Sequence, residues 1–279
     1  MISTAREPVK TVRCLKLIVA VLLPATIFCT DRGEATMDVS GNACQPVFGV
    51  LQNKRIYFAH MSVGYNIVDG IKALAREKGV ELNIRETGSD GIAVSEPGLY
   101  HGRIGKNGNP TLKIKMFEEV STHDLMKQPV DAVMMKLCYA DIVKTTDVDA
   151  LFEAYSKAVT GIRENNPQLK IIHITVPLMA HQSNIKERIR NLVSGDVGNI
   201  KRNLFNGKLV EAYAKIDPVF DLASIEASRA SGKSCGFSHK GKFYMSMNPV
   251  YTKDGGHLNE SARKMVACRF LQFLTETLH

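Results

Sequence analysis

Residues 55–79 read RIYFAHMSVGYNIVDGIKALAREKG. Arg55 to Ala59 is a short apolar run rich in strand-forming residues, bounded by polar ones. From there the apolar residues move to Val63, Ile67, Ile71 and Leu74, one face of a 3.6-residue period that closes near Gly79. A strand that gives way to a helix within three residues is the repeating unit of an α/β fold, and the chain beyond it keeps that rhythm. Val80 to Arg85 reads as a second strand, and Asp131 to Cys138 as a strand covered on both faces. Val148 to Arg163 reads as a helix with Leu151, Tyr155, Val159 and Ile162 as its stripe. Lys170 to Val176 is a buried strand stopped by Pro177. Val197 to Ala214 reads as a helix, Ile216 to Phe220 as a short last strand, and Asn259 to Leu278 as a terminal helix. Strands alternating with helices of this length predict a three-layer α/β/α sandwich around a mostly parallel five-stranded sheet. In such sheets ligands bind beyond the carboxyl ends of the strands. Three stretches, Gly88–Thr122, His181–Gly195 and Ser228–Thr252, are expected to be long connections.

The full chain has 279 residues, 44% of them hydrophobic and 23% charged, which excludes a disordered or collagen-like protein. The formal charge of +8 favours anionic partners, but the basic residues form only short runs and aromatic residues are sparse, with no Trp. A nucleic-acid surface is therefore not expected. Lys10, Arg13 and Lys16 precede an apolar run from Leu17 to Cys29. That run is short for a membrane-spanning helix, which takes about 20 apolar residues, and has the form of an export signal. The expected organisation is a signal peptide or N-terminal anchor over residues 1–34, a linker over 35–50 and one domain over 51–279. Export to the periplasm or the medium follows, with membrane contact only through the N-terminal segment if it is retained.

Outside that segment the cysteines are Cys44, Cys138, Cys235 and Cys268, none at zinc-ligand spacing. Cys138 falls in an apolar strand and Cys268 on a helix, so Cys44–Cys235 is the expected bridge.

Two fragments carry candidate chemistry. Ser62 lies just past the first strand, at the start of the first helix, where its hydroxyl faces the sheet-end crevice. A serine there is either a helix N-cap or a nucleophile with helix amides beside it. Asp254-Gly255-Gly256-His257 lies before the last helix. Its carboxylate and imidazole, three residues apart across two glycines, form either a solvated turn or an acid–base pair.

Together the fragments resemble the SGNH/GDSL hydrolase superfamily of esterases and lipases, over Arg55 to the C-terminus. In that family a serine follows the first strand and a D-x-x-H pair precedes the last helix. The resemblance implies a flavodoxin-like SGNH fold and acyl transfer by Ser62, His257 and Asp254, with no metal or organic cofactor. It also implies a small-molecule or glycan ester as substrate. Two departures stand out. The family's Gly-Asp-Ser is His60-Met61-Ser62 here, and its Gly-x-Asn-Asp aligns with Cys138-Tyr139-Ala140-Asp141, which puts Ala140 at the oxyanion asparagine. Gly91 takes the place of the family's intermediate glycine as the expected second amide donor, and Tyr139, Lys136 or a loop amide is the expected substitute for the asparagine. His60 is expected to shape the pocket or to pack as a core histidine. Lys136 and Asp141 are expected to pair at the strand end. His173 reads as a core residue, His181 as a residue near the pocket mouth, and Asn199 and Arg202 as surface groups or supports behind the site. The same residues leave room for an O-acyltransferase on an envelope glycan, or for a carbohydrate-binding module on a degenerate hydrolase fold.

Overall fold

The computed structural model describes residues 44–88, 92–181 and 196–278. After a short helix α1 (Gly49–Asn53), strand β1 (Arg55–His60) leads into α2 (Val63–Glu77). Next come β2 (Ile84–Thr87), β3 (Gly98–Arg103), α3 (Pro110–Glu119), β4 (Ala132–Met135), α4 (Val148–Asn165) and β5 (Lys170–Ile174). The remaining elements are α5 (Val197–Tyr213), β6 (Val219–Phe220), α6 (Leu222–Ala227), β7 (Gly236–His239), β8 (Lys242–Met245) and α7 (Glu260–Thr277).

The main sheet runs in the order β2-β3-β1-β4-β5-β6, and every pair in it is parallel. Strand alternation splits the core in two. Ile56, Phe58, Met134 and Ile172 face α2 and α7, whereas Tyr57, Ala59, Val133 and Ile171 face the side of α3, α4 and α5. This is the expected three-layer sandwich, with six strands in place of five. The additional strand is β3, inside the stretch expected to be a connection. Its sequence, GLYHGR, has glycines and a histidine where an apolar run would reveal a strand, yet five of its six residues are buried because it is inserted between β2 and β1. The stretch expected to be a loop over Ser228–Thr252 likewise holds the β7–β8 hairpin. The second strand is shifted: Val80 and Leu82 pack on the core as approach residues, and pairing begins at Ile84.

The core starts earlier than residue 51, because Phe48 and Val50 are already buried in it. This has a covalent consequence. Helix α1 packs on α7, and the preceding residues lie along α7, with Gln272 donating to the Gln45 carbonyl at 3.3 Å. The bridge is therefore Cys44–Cys268, not Cys44–Cys235. Cys235 is buried at the base of the hairpin, where it accepts a hydrogen bond from Arg229. A link across 224 residues removes about 5 kcal/mol of chain entropy from the unfolded state on the loop-closure model. Among the described residues no helix is long and apolar enough to cross a membrane. The expected N-terminal signal and most of the expected linker lie outside the described residues.

Candidate active site

β1 is the point where the order of the sheet reverses. The chain leaves it first toward β2 and β3, then returns to its other side as β4. Ligand sites of open α/β sheets form at such switch points. Ser62 follows β1 and Tyr139 follows β4, so both stand at this crevice.

The turn at Ser62 is tight. His60 ends the strand, Val63 begins the helix, and Ser62 takes φ 54° and ψ −112°. Positive φ in a residue with a Cβ costs on the order of 1–3 kcal/mol and collects at functional positions. The serine side chain makes no capping bond to α2, so the N-cap alternative does not describe it. Gly64 lets the helix start so close to the strand: a Cβ there would lie 2.3 Å from the His60 ring.

The DGGH segment approaches from the other end of the chain and is tied down on several sides. Asn66, buried on α2, accepts from Leu258 N at 3.0 Å. Arg263 Nε donates to the Leu258 carbonyl at 2.9 Å, and Ala180 N donates to the Gly255 carbonyl at 2.8 Å. Asn259 caps α7 by accepting from Ala262 N. Because α2 packs along α7, the helix that begins at Ser62 and the helix that follows His257 hold their leading residues together.

The result is a linear array. Ser62 Oγ lies 2.7 Å from His257 Nε2, and His257 Nδ1 lies 2.6 Å from Asp254 Oδ2. Asp254 Oδ1 accepts from the main-chain N–H of Gly256 at 2.9 Å and of His257 at 2.8 Å. Those main-chain bonds, reinforced by the imidazole, hold its carboxyl well below the usual carboxylate range. An ionised Asp254 keeps the proton on Nδ1 and leaves the Nε2 lone pair to accept from the serine hydroxyl. The side chains of His257 and Asp254 are 41% and 57% exposed, so the array opens to solvent.

Tyr139 closes one side. Its ring meets His257 edge-on, with centroids 5.7 Å apart, and its hydroxyl is 3.4 Å from Nε2. Burial pushes the phenol above its ordinary value, with a hydrogen bond to Ser62 pulling the other way. A Cβ on Gly256 would lie 2.8 Å from the Tyr139 ring, so the second glycine of DGGH is where this ring fits.

Other candidates lie elsewhere. His60 is fully buried, its Nε2 is 3.1 Å from His101 Nδ1, and burial, with Lys136, His101 and Arg103 nearby, lowers it to about 2. It packs beneath the start of α2, against Gly64. Lys136 and Asp141 do not pair. Asp141 turns toward α3 and binds Lys113 Nζ at 2.6 Å, while also accepting from Cys138 N and Gly108 N. Lys136 is buried against the Leu137 carbonyl and Cys138 Sγ, and burial lowers its ammonium below the ordinary value. Nearby Glu226 is pushed up to about 8 by burial. Gly91 lies outside the described residues. His173 is a core residue between Tyr155 and Asp217. His181 stacks on Phe237 beside Asp196. Arg202 and Asn199 are buried, not on the surface. Arg202 Nε donates to the Tyr139 carbonyl at 3.0 Å, and Asn199 accepts from Arg202 Nη1.

Sequence reading passed over Asn66 and Lys113. Each left a trace, being the polar residue inside an otherwise apolar helix face: Asn66 beside Val63 and Ile67, Lys113 beside Ile114 and Phe117. Among the described residues no cluster of His, Cys, Asp or Glu is arranged to hold a metal ion. A depression of about 540 Å³ between Thr145–Asp149 and α5 contains none of these candidates.

No family model and no curated protein matches the chain. Solved structures resemble it at low identity. A lipase/acylhydrolase from Enterococcus faecalis is 13% identical, with a TM-score of 0.49 over 80% of this chain and 96% of that one. An acetyl xylan esterase is 19% identical, with a TM-score of 0.46 over 78% and 98%. A carbohydrate esterase family 3 protein from Talaromyces cellulolyticus is 12% identical, with a TM-score of 0.43 over 80% and 98%.

Proposed function

We propose that the chain is a serine esterase of the SGNH/GDSL type that hydrolyses a carboxylic ester. The observation that carries this reading is the Ser62–His257–Asp254 array, with hydrogen bonds of 2.7 and 2.6 Å. Ser62 Oγ attacks the ester carbonyl as Nε2 takes its proton. Asp254 holds the ring in orientation and stabilises the imidazolium. The imidazolium then protonates the departing alcohol, and water enters to release the acid by the same route in reverse. In this reading the Ser62 amide, at the mouth of α2, is a donor to the developing oxyanion, where helix N–H groups and their dipole favour negative charge.

An ester on a large polar alcohol, such as an O-acylated carbohydrate, suits an imidazole and carboxylate this exposed, because the carrier can remain in solvent while the acyl group reaches Ser62. Export is part of the proposal. The Cys44–Cys268 bridge belongs to an oxidising compartment, and the Lys10–Cys29 segment has the form of a signal. N-terminal sequencing of protein recovered from outside the cytoplasm tests export; recovery only from the cytoplasm, with Met1 in place, overturns it.

The catalytic test is labelling by a fluorophosphonate, read together with turnover of aryl and sugar acetates. Wild type is expected to be labelled at Ser62, and Ser62→Ala to lose labelling and about 10⁶-fold in kcat, since the three groups act as a unit. Turnover that survives in Ser62→Ala removes the serine from the mechanism.

A further inference from the structure

We propose that Tyr139 is a further catalytic residue, whose phenol hydrogen-bonds the alcohol oxygen as it leaves the acyl centre. The inference rests on the esterase reading and adds a residue to it.

The geometry decides which oxygen the phenol serves. Attack by Ser62 makes a tetrahedral centre with two other oxygens, the oxyanion and the ester alcohol oxygen. His257 must deliver its proton to the alcohol oxygen, so that oxygen sits beside both Oγ and Nε2, while the oxyanion points away from the imidazole. The Tyr139 hydroxyl is 3.4 Å from Nε2, the atom that Ser62 Oγ meets at 2.7 Å, and Ser62 is near enough to the phenol to pull it down. A group that neighbours both atoms stands on the alcohol side. The expectation that Tyr139 replaces the oxyanion asparagine therefore gives way, and the oxyanion is left to main-chain amides.

The phenol is built to stay there. Arg202 holds the Tyr139 carbonyl, the amide of the preceding Cys138 is held by Asp141, and the ring lies over Gly256 where no Cβ intervenes. Proton and electron accounting is closed. The bond from acyl carbon to alcohol oxygen breaks with its electron pair on oxygen, and the Nε2 proton neutralises that oxygen. Tyr139 keeps its own proton and donates a hydrogen bond. In the second half, water occupies the same place, gives its proton to Nε2 and attacks the acyl carbon.

Tyr139→Phe removes only the hydroxyl and leaves the ring over Gly256. The experiment measures kcat/KM for wild type and variant over acetate esters whose alcohols range from 4-nitrophenol to ethanol and a simple sugar. Poor leaving groups need proton transfer and hydrogen bonding at the alcohol oxygen, whereas 4-nitrophenolate departs with little help. The expected loss grows along the series, from less than about 10-fold for the nitrophenyl ester to about 10²-fold for the alkyl and sugar esters. A loss of equal size on every ester overturns the proposal, since an oxyanion donor or a packing role acts on all of them alike; equal rates overturn it as well. Fluorotyrosine at 139, a stronger donor of nearly the same shape, is expected to narrow the gap between good and poor leaving groups, and a widened gap counts against the proposal. Wild type that hydrolyses no ester and leaves Ser62 unlabelled overturns the esterase reading itself, and this proposal with it.

Discussion

Asp141 and Asp254 make nearly the same bonds in opposite surroundings. Asp141 accepts from the main-chain N–H of Cys138 and Gly108 and faces Lys113 Nζ at 2.6 Å. Asp254 accepts from the main-chain N–H of Gly256 and His257 and faces His257 Nδ1 at 2.6 Å. The first pair has no exposed side-chain surface, whereas the second is about half exposed. The difference lies in what the partner can do with its proton. A sealed lysine–carboxylate pair, out of reach of water, braces the turn that carries Tyr139. In the proposed mechanism an open histidine–carboxylate pair lets the imidazole take up the Ser62 proton and pass it on. One arrangement of donors thus yields a strut in the interior and, on the proposed reading, an acid–base device at the surface.

The comparison breaks most visibly at Asp254. Asp254→Asn keeps the shape but offers an amide that can donate to Nδ1, leaving the proton on Nε2, where it cannot accept from Ser62. Steady-state assays are expected to show a loss of about 10⁴-fold in kcat. The melting midpoint should move little, since exposed pairs contribute about 0.2–1 kcal/mol. A loss below about tenfold contradicts the assignment of Asp254 as the group that orients the base.

Lys113→Met probes the opposite member. It leaves Asp141 buried without its cation, and urea unfolding should show destabilisation of about 3–5 kcal/mol. Adding Asp141→Asn in the same chain removes the stranded charge and should return part of that loss, because the penalty comes from the orphaned ion more than from the lost attraction. Well below its melting point the single variant should retain ester turnover within about tenfold. Abolished turnover with an unchanged unfolding curve would mean that Lys113 serves the chemistry and not the frame.

These contrasts also mark what the sequence could and could not disclose. Periodicity exposed β1, α2, α4, β5 and α7, whose apolar residues recur at strand or helix spacing. It missed β3, because an interior strand needs only its neighbours' ladders to be buried, and Gly98, His101 and Gly102 give no apolar signal. The Ser62 and Asp254–His257 candidates were legible because each is a short local pattern at a strand–helix junction, and the fold brings them within 2.7 Å. Pairings between distant segments were not legible. Lys136 and Asp141 are close in sequence, but the 3₁₀ turn over Tyr139–Asp141 rotates the carboxylate toward α3 and away from Lys136. Cys268 looked like a buried thiol because nothing local reveals that α1 lays Cys44 across α7.

The smallest expected effect separates the two carboxylates by acid. Main-chain donation keeps the Asp254 carboxyl in the folded protein below the value of about 3.9 it has in an unfolded chain. A depressed carboxyl contributes stability that is fully present above the unfolded value and is lost as pH falls toward the folded one. The stability difference between wild type and Asp254→Asn should therefore be flat from neutrality to about pH 4 and shrink below it. Buried histidines such as His60, neutral when folded and protonated when unfolded, destabilise both proteins as pH falls below about 6.5, so their contribution cancels in the difference. Because Asp254 is more than half exposed, solvent screening should keep the whole change under about 1 kcal/mol. Paired urea titrations from pH 3 to 7 read it directly. A difference that closes above pH 5 would place the titrating group outside Asp254 and leave the exposed carboxylate without the main-chain grip that distinguishes it from an ordinary surface acid.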